Sequence, residues 1–529
     1  MTNESESMIN EASLASVETL PTPAEEASVT ASVSNDVTLK ISRDDGIKYA
    51  GILFYLSIVF SVIYTLCMFK NMNGISFPFM ALTSLLYIGF FLKKTGKKIK
   101  AGTAFCGASI LLLAINMCIT NDFFIIAFNY IGIALLLITG LVDSVFDTGK
   151  FGFMNYLGRG MSVFFGSIPH IFTVIPNFVE YSKTYEKESK NSKVKYVLLG
   201  ILIAVPLLIV VLLLLSSADI VFGDMLHNIF GDISIGNCIG IFFTMLASFL
   251  GSFALLARCN DTFSLVPGKK KDGLEPIIAI TFNSVLAIVY LIFSVIQILY
   301  LFIGKMTLPK EYTYAQYARQ GFFQLLAVCI MNLAIVLIST YLFRENTALK
   351  VILTIISLCT YIMIASSAMR MFMYIDVYLL TVLRVLVIWG LITLAILLAG
   401  ICIYIYKHDF PLFKYMTVVV TVLYIGLAFM HPQYCVAEYN ITRGYELVQD
   451  SQNTDEQYVV DYRYIIGLGT DVAKAFENHQ DIIPEEQVYD YLRIYGNKKT
   501  RGLKFNFSRD AFEKFYAKSY DHYVNIMNQ

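Results

Sequence analysis

Five charged residues have types and placements that could do chemistry in this chain. Arg370, Asp376 and Arg384 lie within "SSAMRMFMYIDVYLLTVLR" (366–384), between two long apolar runs; Asp219 follows the run "VPLLIVVLLLLSSA", and Arg319 stands in "YARQGFF". A charge facing lipid is costly, so charges beside such runs mark a site, an ion pair or a membrane edge. One chemistry is recognition: Arg319, Arg370 and Arg384 would hold an anionic or lipidic solute, or Asp219 would pair with Arg319 or Arg384. Another is catalysis, with Asp219 or Asp376 as a base in lipid or envelope chemistry. The plainest reading needs neither: Arg370 snorkels to the headgroups, Arg384 snorkels or pairs with Asp376, and Tyr374 and Tyr378 belong to the interfacial belt.

Other chemistries find little support. The nine cysteines fall singly, mostly inside apolar runs, and the six histidines lack any ligand spacing, so neither a structural metal nor a cofactor is expected. No phosphate-binding loop, nucleophile elbow or zincin motif occurs, and Gly467 and Gly469 in "IIGLGTDV" lack the third glycine of a dinucleotide site. No basic surface exists for nucleic acid.

The elements that must position the five charges are membrane helices. The chain has 529 residues, of which 57% are hydrophobic and only 15% charged, and its mean hydropathy is +0.63. A bilayer core about 30 Å thick needs about 20 apolar residues as helix. Eleven stretches qualify: 49–69, 75–92, 101–119, 123–142, 196–217, 236–257, 277–303, 321–343, 349–369, 379–406 and 412–430. Backbone groups in lipid must bond internally, which makes these helices. Short connections at 120–122 and 370–378 make antiparallel hairpins. The segment 151–181 is apolar but broken by Arg159, Pro169 and Pro176, and reads as interfacial or re-entrant. Asn116, Asn129, Asn283, Gln297, Gln324 and Asn332 lie deeper, where interhelical hydrogen bonding is the commonest job of an amide. No acidic residue sits in mid-span, which argues against a proton relay.

Lysines orient the first half. They crowd the loops at 93–100, 183–195 and 258–271, whereas the alternate loops hold Lys70 alone. The N-terminus is therefore expected inside, and eleven spans put the C-terminus outside; the bias fades after residue 305.

The domain reading follows. Residues 1–45 form a disordered tail, 46–195 the first helices with the interfacial segment and a cytoplasmic loop, 196–431 a second bundle, and 432–529 a soluble helical segment. In that last segment "PEEQVYDYLRIYG" reads as a helix ending at Gly496, and "SRDAFEKFYAKSYDHYVNIM" as another, with Ser508 its candidate N-cap.

Four ordered blocks carry a resemblance: "LLLLSSADIVF" (212–222), "YTYAQYARQGFFQLLAV" (312–328), "AMRMFMYIDVYLLTVLR" (368–384) and "HPQYCVAEYNITR" (431–443). Over roughly 196–470 the chain resembles a family of polytopic bacterial membrane proteins known only as a domain of unknown function. The resemblance implies a bacterial inner membrane, a many-helix bundle and a small helical tail, and no activity. The chain departs from the pattern at Leu379, where a glycine is expected before "LT..LR", and at His431, where an Asn-Pro-like start is expected.

The expectation is thus an all-α, polytopic integral membrane bundle of about eleven spans in a bacterial plasma membrane. Its expected role is structural or interactive rather than enzymatic. Its partners would be the lipid bilayer and, through the C-terminal helices, another protein. Transport or flipping of an anionic or lipidic solute is the second reading, and a membrane enzyme the third.

Overall fold

The computed structural model describes residues 49–71, 73–146, 148, 151–185, 235–261, 273–299, 322–451, 460–496 and 502–528, with isolated positions between 200 and 222. Ten described helices are long and apolar enough to cross a bilayer. In chain order the first four are α1 (Tyr49–Met68), α2 (Ser76–Lys94), α3 (Ala101–Ile119) and α4 (Phe123–Val145). Two shorter helices follow, α5 (Phe153–Ser167) and α6 (Val174–Tyr185). The remaining six are α7 (Ile235–Asp261), α8 (Pro276–Gln297), α9 (Phe322–Leu342), α10 (Thr347–Tyr378), α11 (Val382–Tyr406) and α12 (Leu412–Phe429). The only β-type pairing among the described residues is an isolated bridge between Leu274 and Phe343. The expected span at 196–217 lies largely outside the described residues.

Cross-contacts sort the helix ends into two groups. At one end Lys97 Nζ donates to the Cys259 carbonyl and Lys100 Nζ to the Phe146 carbonyl, both at 2.6 Å, and Lys414 meets Asp143 at 3.1 Å. At the other, Asn73 donates to the Thr120 carbonyl at 3.3 Å, and Arg370 to Gln297 at 3.3 Å. By helix direction Arg344, Lys350 and Lys407 also join the first, lysine-rich end. The cationic bias is thus clear in the first half and weaker in the second, where Arg370 and Arg384 stand at the opposite end. Helix α1 starts at the lysine-rich end and α12 finishes at the opposite one, which requires an odd number of crossings.

The pair α5 and α6 does not run from one end of the bundle to the other. A 3-10 turn at Ile168–Ile171 separates them, and the pair is bent by 68°. Arg258 Nη2 donates to Ser162 Oγ at 2.9 Å, Arg159 lies over the Phe146 ring at 5.0 Å, and Gly51 faces the Tyr181 ring. All three neighbours belong to the lysine-rich end, where prolines and an arginine are tolerated at an interface.

Between helices the amides bond as expected. Asn129 donates to Asn116 (2.8 Å), Asn116 to the Ala428 carbonyl (2.9 Å), and Tyr424 to Asn129 (2.8 Å). Asn283 donates to Ser339 and Asn332 to Thr360, while Gln324 is exposed. Lipid offers no hydrophobic drive for helix association, so such bonds, each about 1 kcal/mol, and close packing hold the bundle.

The chain after α12 folds as a small helical domain: α13 (Pro432–Ser451), α14 (Tyr462–Gly467), α15 (Ala473–Asn478), α16 (Glu485–Tyr495) and α17 (Phe507–Met527). Its core is aromatic. Phe476 stacks on Tyr491 at 4.2 Å, and Leu492, Phe512 and Phe515 are fully buried around them. Helix α16 ends at Gly496 with φ 55°, as expected. The N-cap of α17 is Asn506, whose side chain accepts from the Arg509 amide, and not Ser508, which lies one residue inside the helix.

Candidate functional site

The expected hairpin apex at Asp376 is helical. Helix α10 runs to Tyr378, nine residues beyond the predicted span, because this segment remains bonded as helix after its hydropathy falls. The turn is Leu379–Thr381, and Thr381 caps α11 by accepting from the Arg384 amide at 3.3 Å. Leu379 has φ 59° and ψ −169°, a region that glycine enters freely and other residues enter under strain. His431, the other departure from the family pattern, has φ 52°. Both departures thus stand where the backbone favours glycine or asparagine.

Arg384 closes this turn. Its Nη1 donates to the Tyr378 carbonyl at 2.7 Å and also to the Leu379 carbonyl, and its guanidinium lies 4.1 Å from the Tyr374 ring centroid. It therefore satisfies oxygens that the end of α10 leaves open. No hydrogen bond or ion pair joins Arg384 to Asp376; the latter is exposed on the last turn of α10. Arg370 does not snorkel: it is 7% exposed and donates to Gln297 Oε1, which also accepts from Ser366 Oγ at 2.6 Å. Asp219 is exposed and accepts from the Phe222 amide at 2.9 Å, a local cap. Arg319 lies outside the described residues. The structure thus puts Arg370, Asp376 and Arg384 toward one end, with the two arginines turned to amide and backbone oxygens.

The same turn is gripped from the C-terminal domain. Asn440 accepts from the Leu380 amide (3.0 Å) and donates to the Leu380 carbonyl (2.9 Å), and the Tyr464 hydroxyl accepts from the Val382 amide (2.9 Å). On the first half of the bundle, Asp471 accepts from Thr120 Oγ1 (2.7 Å), from the Asn121 amide (2.8 Å) and from the Ser508 hydroxyl. Asn506 donates to the Thr120 carbonyl (2.9 Å). Asn71 donates to the Leu503 carbonyl (3.0 Å), and the Ile75 amide to the Phe505 carbonyl (2.9 Å). Burial pushes the Asp471 carboxyl above the usual Asp range, with Asp122 adding to the rise, while the Ser508, Thr120 and Asn121 donors pull it down. Gly469, dismissed above as a nucleotide loop, turns the chain into this contact at φ 92°. The domain therefore clamps the α3–α4 loop and the α10–α11 turn together.

A second polar centre sits at the lysine-rich end. Asp143 is 2% exposed and accepts from Thr148 Oγ1 (2.7 Å) and the Tyr156 hydroxyl (3.0 Å), with Lys414 Nζ at 3.1 Å and Thr103 Oγ1 at 3.3 Å. Gly102 makes room, since a Cβ there would stand 2.7 Å from Asp143 Oδ2. Sequence reasoning passed over Asp143 because it lies one residue past the predicted end of its span. Nothing local to either residue links it to Lys414. Asp471 was missed for the same reason, its partners Thr120 and Asn121 being more than three hundred positions upstream. Among the described residues no group of three or more His, Cys, Asp or Glu side chains could hold a metal.

A family model described as a domain of unknown function (DUF4153) matches residues 107–479, well over half of the chain. The chain belongs to the DUF4153 family. No curated protein and no solved structure matches it. The DUF4153 match begins earlier than the blocks at 196–470, taking in most of α3 and all of α4. Asp143, Arg384, Lys414, Asn440 and Asp471 all fall inside it, whereas Asn506 and Ser508 of the clamp fall beyond its end.

Proposed function

We propose that this DUF4153 protein is a non-enzymatic polytopic protein of the bacterial plasma membrane. Its C-terminal helices form a fixed platform for a protein partner at the outer face. The observation that carries this reading is the clamp: one small domain holds the α3–α4 loop through Asp471 and Asn506 and the α10–α11 turn through Asn440 and Tyr464. A domain bonded to both halves of a bundle presents its remaining surface in a constant orientation, as a docking platform requires. The outer placement follows from the lysines at the opposite end. Under this reading Arg370 and Arg384 organise helices.

The test has two arms. Single cysteines at positions 376, 486 and 98, in a background without native thiols, report sidedness in intact cells; the expected result is labelling from outside at 376 and 486 and none at 98. Asn440→Ala and Asp471→Ala should lower abundance, with any phenotype lost in proportion. Charge reversal on the exposed face of α17, at Lys514 and Lys518, should abolish the phenotype at unchanged abundance. Loss of phenotype confined to Arg384→Gln at full abundance would instead favour transport of an anionic solute, a reading supported by a pocket of about 160 Å³ beside Arg384.

A further inference from the structure

The surface between α9 and α11 carries a two-part groove. The part nearest the turn, about 160 Å³, lies between Phe322, Tyr374, Thr381 and Arg384. The second, about 310 Å³, runs past Leu326, Ile330, Gly390 and Leu394 beside Trp389. Val387 lines both, so the two parts follow one another along α11. From Arg384 to Leu394 an α-helix rises about 15 Å. That equals the hydrocarbon depth of one leaflet, half of about 30 Å.

The chemistry changes along the groove. Arg384 stands at the third residue of α11, next to the turn and at the end of its apolar run. Its Nη1 is occupied by the Tyr378 and Leu379 carbonyls, and Tyr374 fixes the plane of the guanidinium. Its Nε and Nη2 make no hydrogen bond to any described residue, so a cation held rigidly in place has donors to spare. Asp376, the acid closest to it in sequence, does not pair with it. Below Arg384 the walls are almost entirely apolar, and Gly390 opens them: a Cβ built there meets nothing within 4 Å.

We propose that this groove binds one anionic glycerophospholipid. Its phosphate sits on the spare Arg384 donors, and one acyl chain lies along Val387 and over Gly390 toward Leu394. A planar guanidinium gives phosphate paired, charge-assisted hydrogen bonds, and the apolar depth selects a lipid over a soluble anion. The site is independent of the clamp and of any partner on the C-terminal domain.

Trp389, the single tryptophan of the chain, borders the groove and reports on it. Detergent-solubilised full-length protein is titrated with phosphatidylglycerol brominated on its acyl chains, and tryptophan emission is followed. Saturable quenching is expected. Arg384→Gln should shift the midpoint about tenfold to higher lipid. Gly390→Leu, which leaves the Arg384 contacts intact, should remove the saturable phase, while Gly390→Ala should stay within twofold of wild type. Millimolar inorganic phosphate should not reverse the quenching. Reversal by phosphate would make this a free-anion site, and wild-type quenching in Gly390→Leu would put the chain elsewhere. Absence of saturable quenching in the wild type would mean that the groove is closed by another part of the chain. Each of these three results overturns the proposal.

Discussion

Two buried or half-buried carboxylates hold opposite ends of this bundle by different means. Asp143, at the lysine-rich end, gathers three hydroxyls and the Lys414 ammonium. Asp471, at the other end, takes only neutral donors, namely two hydroxyls and one backbone amide. Asp143 lies in the last turn of a membrane helix with 2% exposure, where an unpaired charge would be prohibitive, so a cation from α12 is recruited. Asp471 lies outside the spans, half-buried at a domain junction, where three hydrogen bonds suffice to keep it docked. The first carboxylate locks helices against each other, and the second fixes a domain upon them.

Removing the cation at the lysine-rich end has the strongest consequence. Lys414→Met strands the Asp143 charge and should cost about 3 kcal/mol of stability, read as a lower unfolding temperature in detergent. The Lys414→Met, Asp143→Leu double variant should regain much of that loss. A double variant no better than the single would mean that the charge pair is not what holds this end.

A smaller, localised effect is expected at the other carboxylate. Asp471→Ala leaves Thr120, Ser508 and the Asn121 amide without their acceptor, at a cost of about 2 kcal/mol. Hydrogen exchange should rise at 117–122 and the C-terminal domain should become protease-sensitive, while the Asp143 end stays unchanged. Equal loosening of both ends would merge the two roles into one.

The two strained residues beside the clamp sharpen the picture further. His431→Asn should stabilise by about 1 kcal/mol, since asparagine tolerates positive φ better than histidine. Leu379→Gly relieves strain of about 1–3 kcal/mol but gives up burial of a side chain that is 5% exposed, worth about 2 kcal/mol. Its net effect should therefore stay within about 1 kcal/mol, as measured by denaturation midpoints. A loss well above that would show that packing, not turn geometry, determines the hairpin.

The smallest expected effect is a pH dependence confined to the clamp. Burial raises the folded-state Asp471 pKa above its unfolded value. Its contribution to stability is therefore complete below the unfolded pKa and is lost as pH rises through the folded one. Docking should tighten as pH falls from neutral toward about 3.9, the ordinary Asp value. Asp471→Asn should flatten the response, seen as hydrogen exchange at 120–121. An identical response in wild type and variant would assign it to another group.

Much of the architecture was legible in the sequence. Apolar runs marked the helices, and Pro169, Pro176 and Arg159 marked the bent segment that stays at one end. Gly496 marked the end of α16. The errors came where local signals mislead. Hydropathy placed Asp376 in a loop although α10 continues to Tyr378. Ser508 is a good capping type, but Asn506 came first and took that role. The expected grouping of Asp219, Arg319, Arg370, Asp376 and Arg384 rested on charge and on placement beside apolar runs, and neither says whether an arginine will meet a carboxylate, an amide or a helix-terminal carbonyl.

Length, hydropathy and loop charge act locally along the chain, and from them alone came the membrane-spanning class, the uneven lysines and the aromatic C-terminal segment. Packing in three dimensions was needed for Lys414 to answer Asp143, for Asp471 to reach Thr120 and Asn121, and for Asn440 to grip Leu380. Those partners lie far apart in the chain, and helices without a hydrophobic drive between them are oriented by the packing that brings such polar groups together.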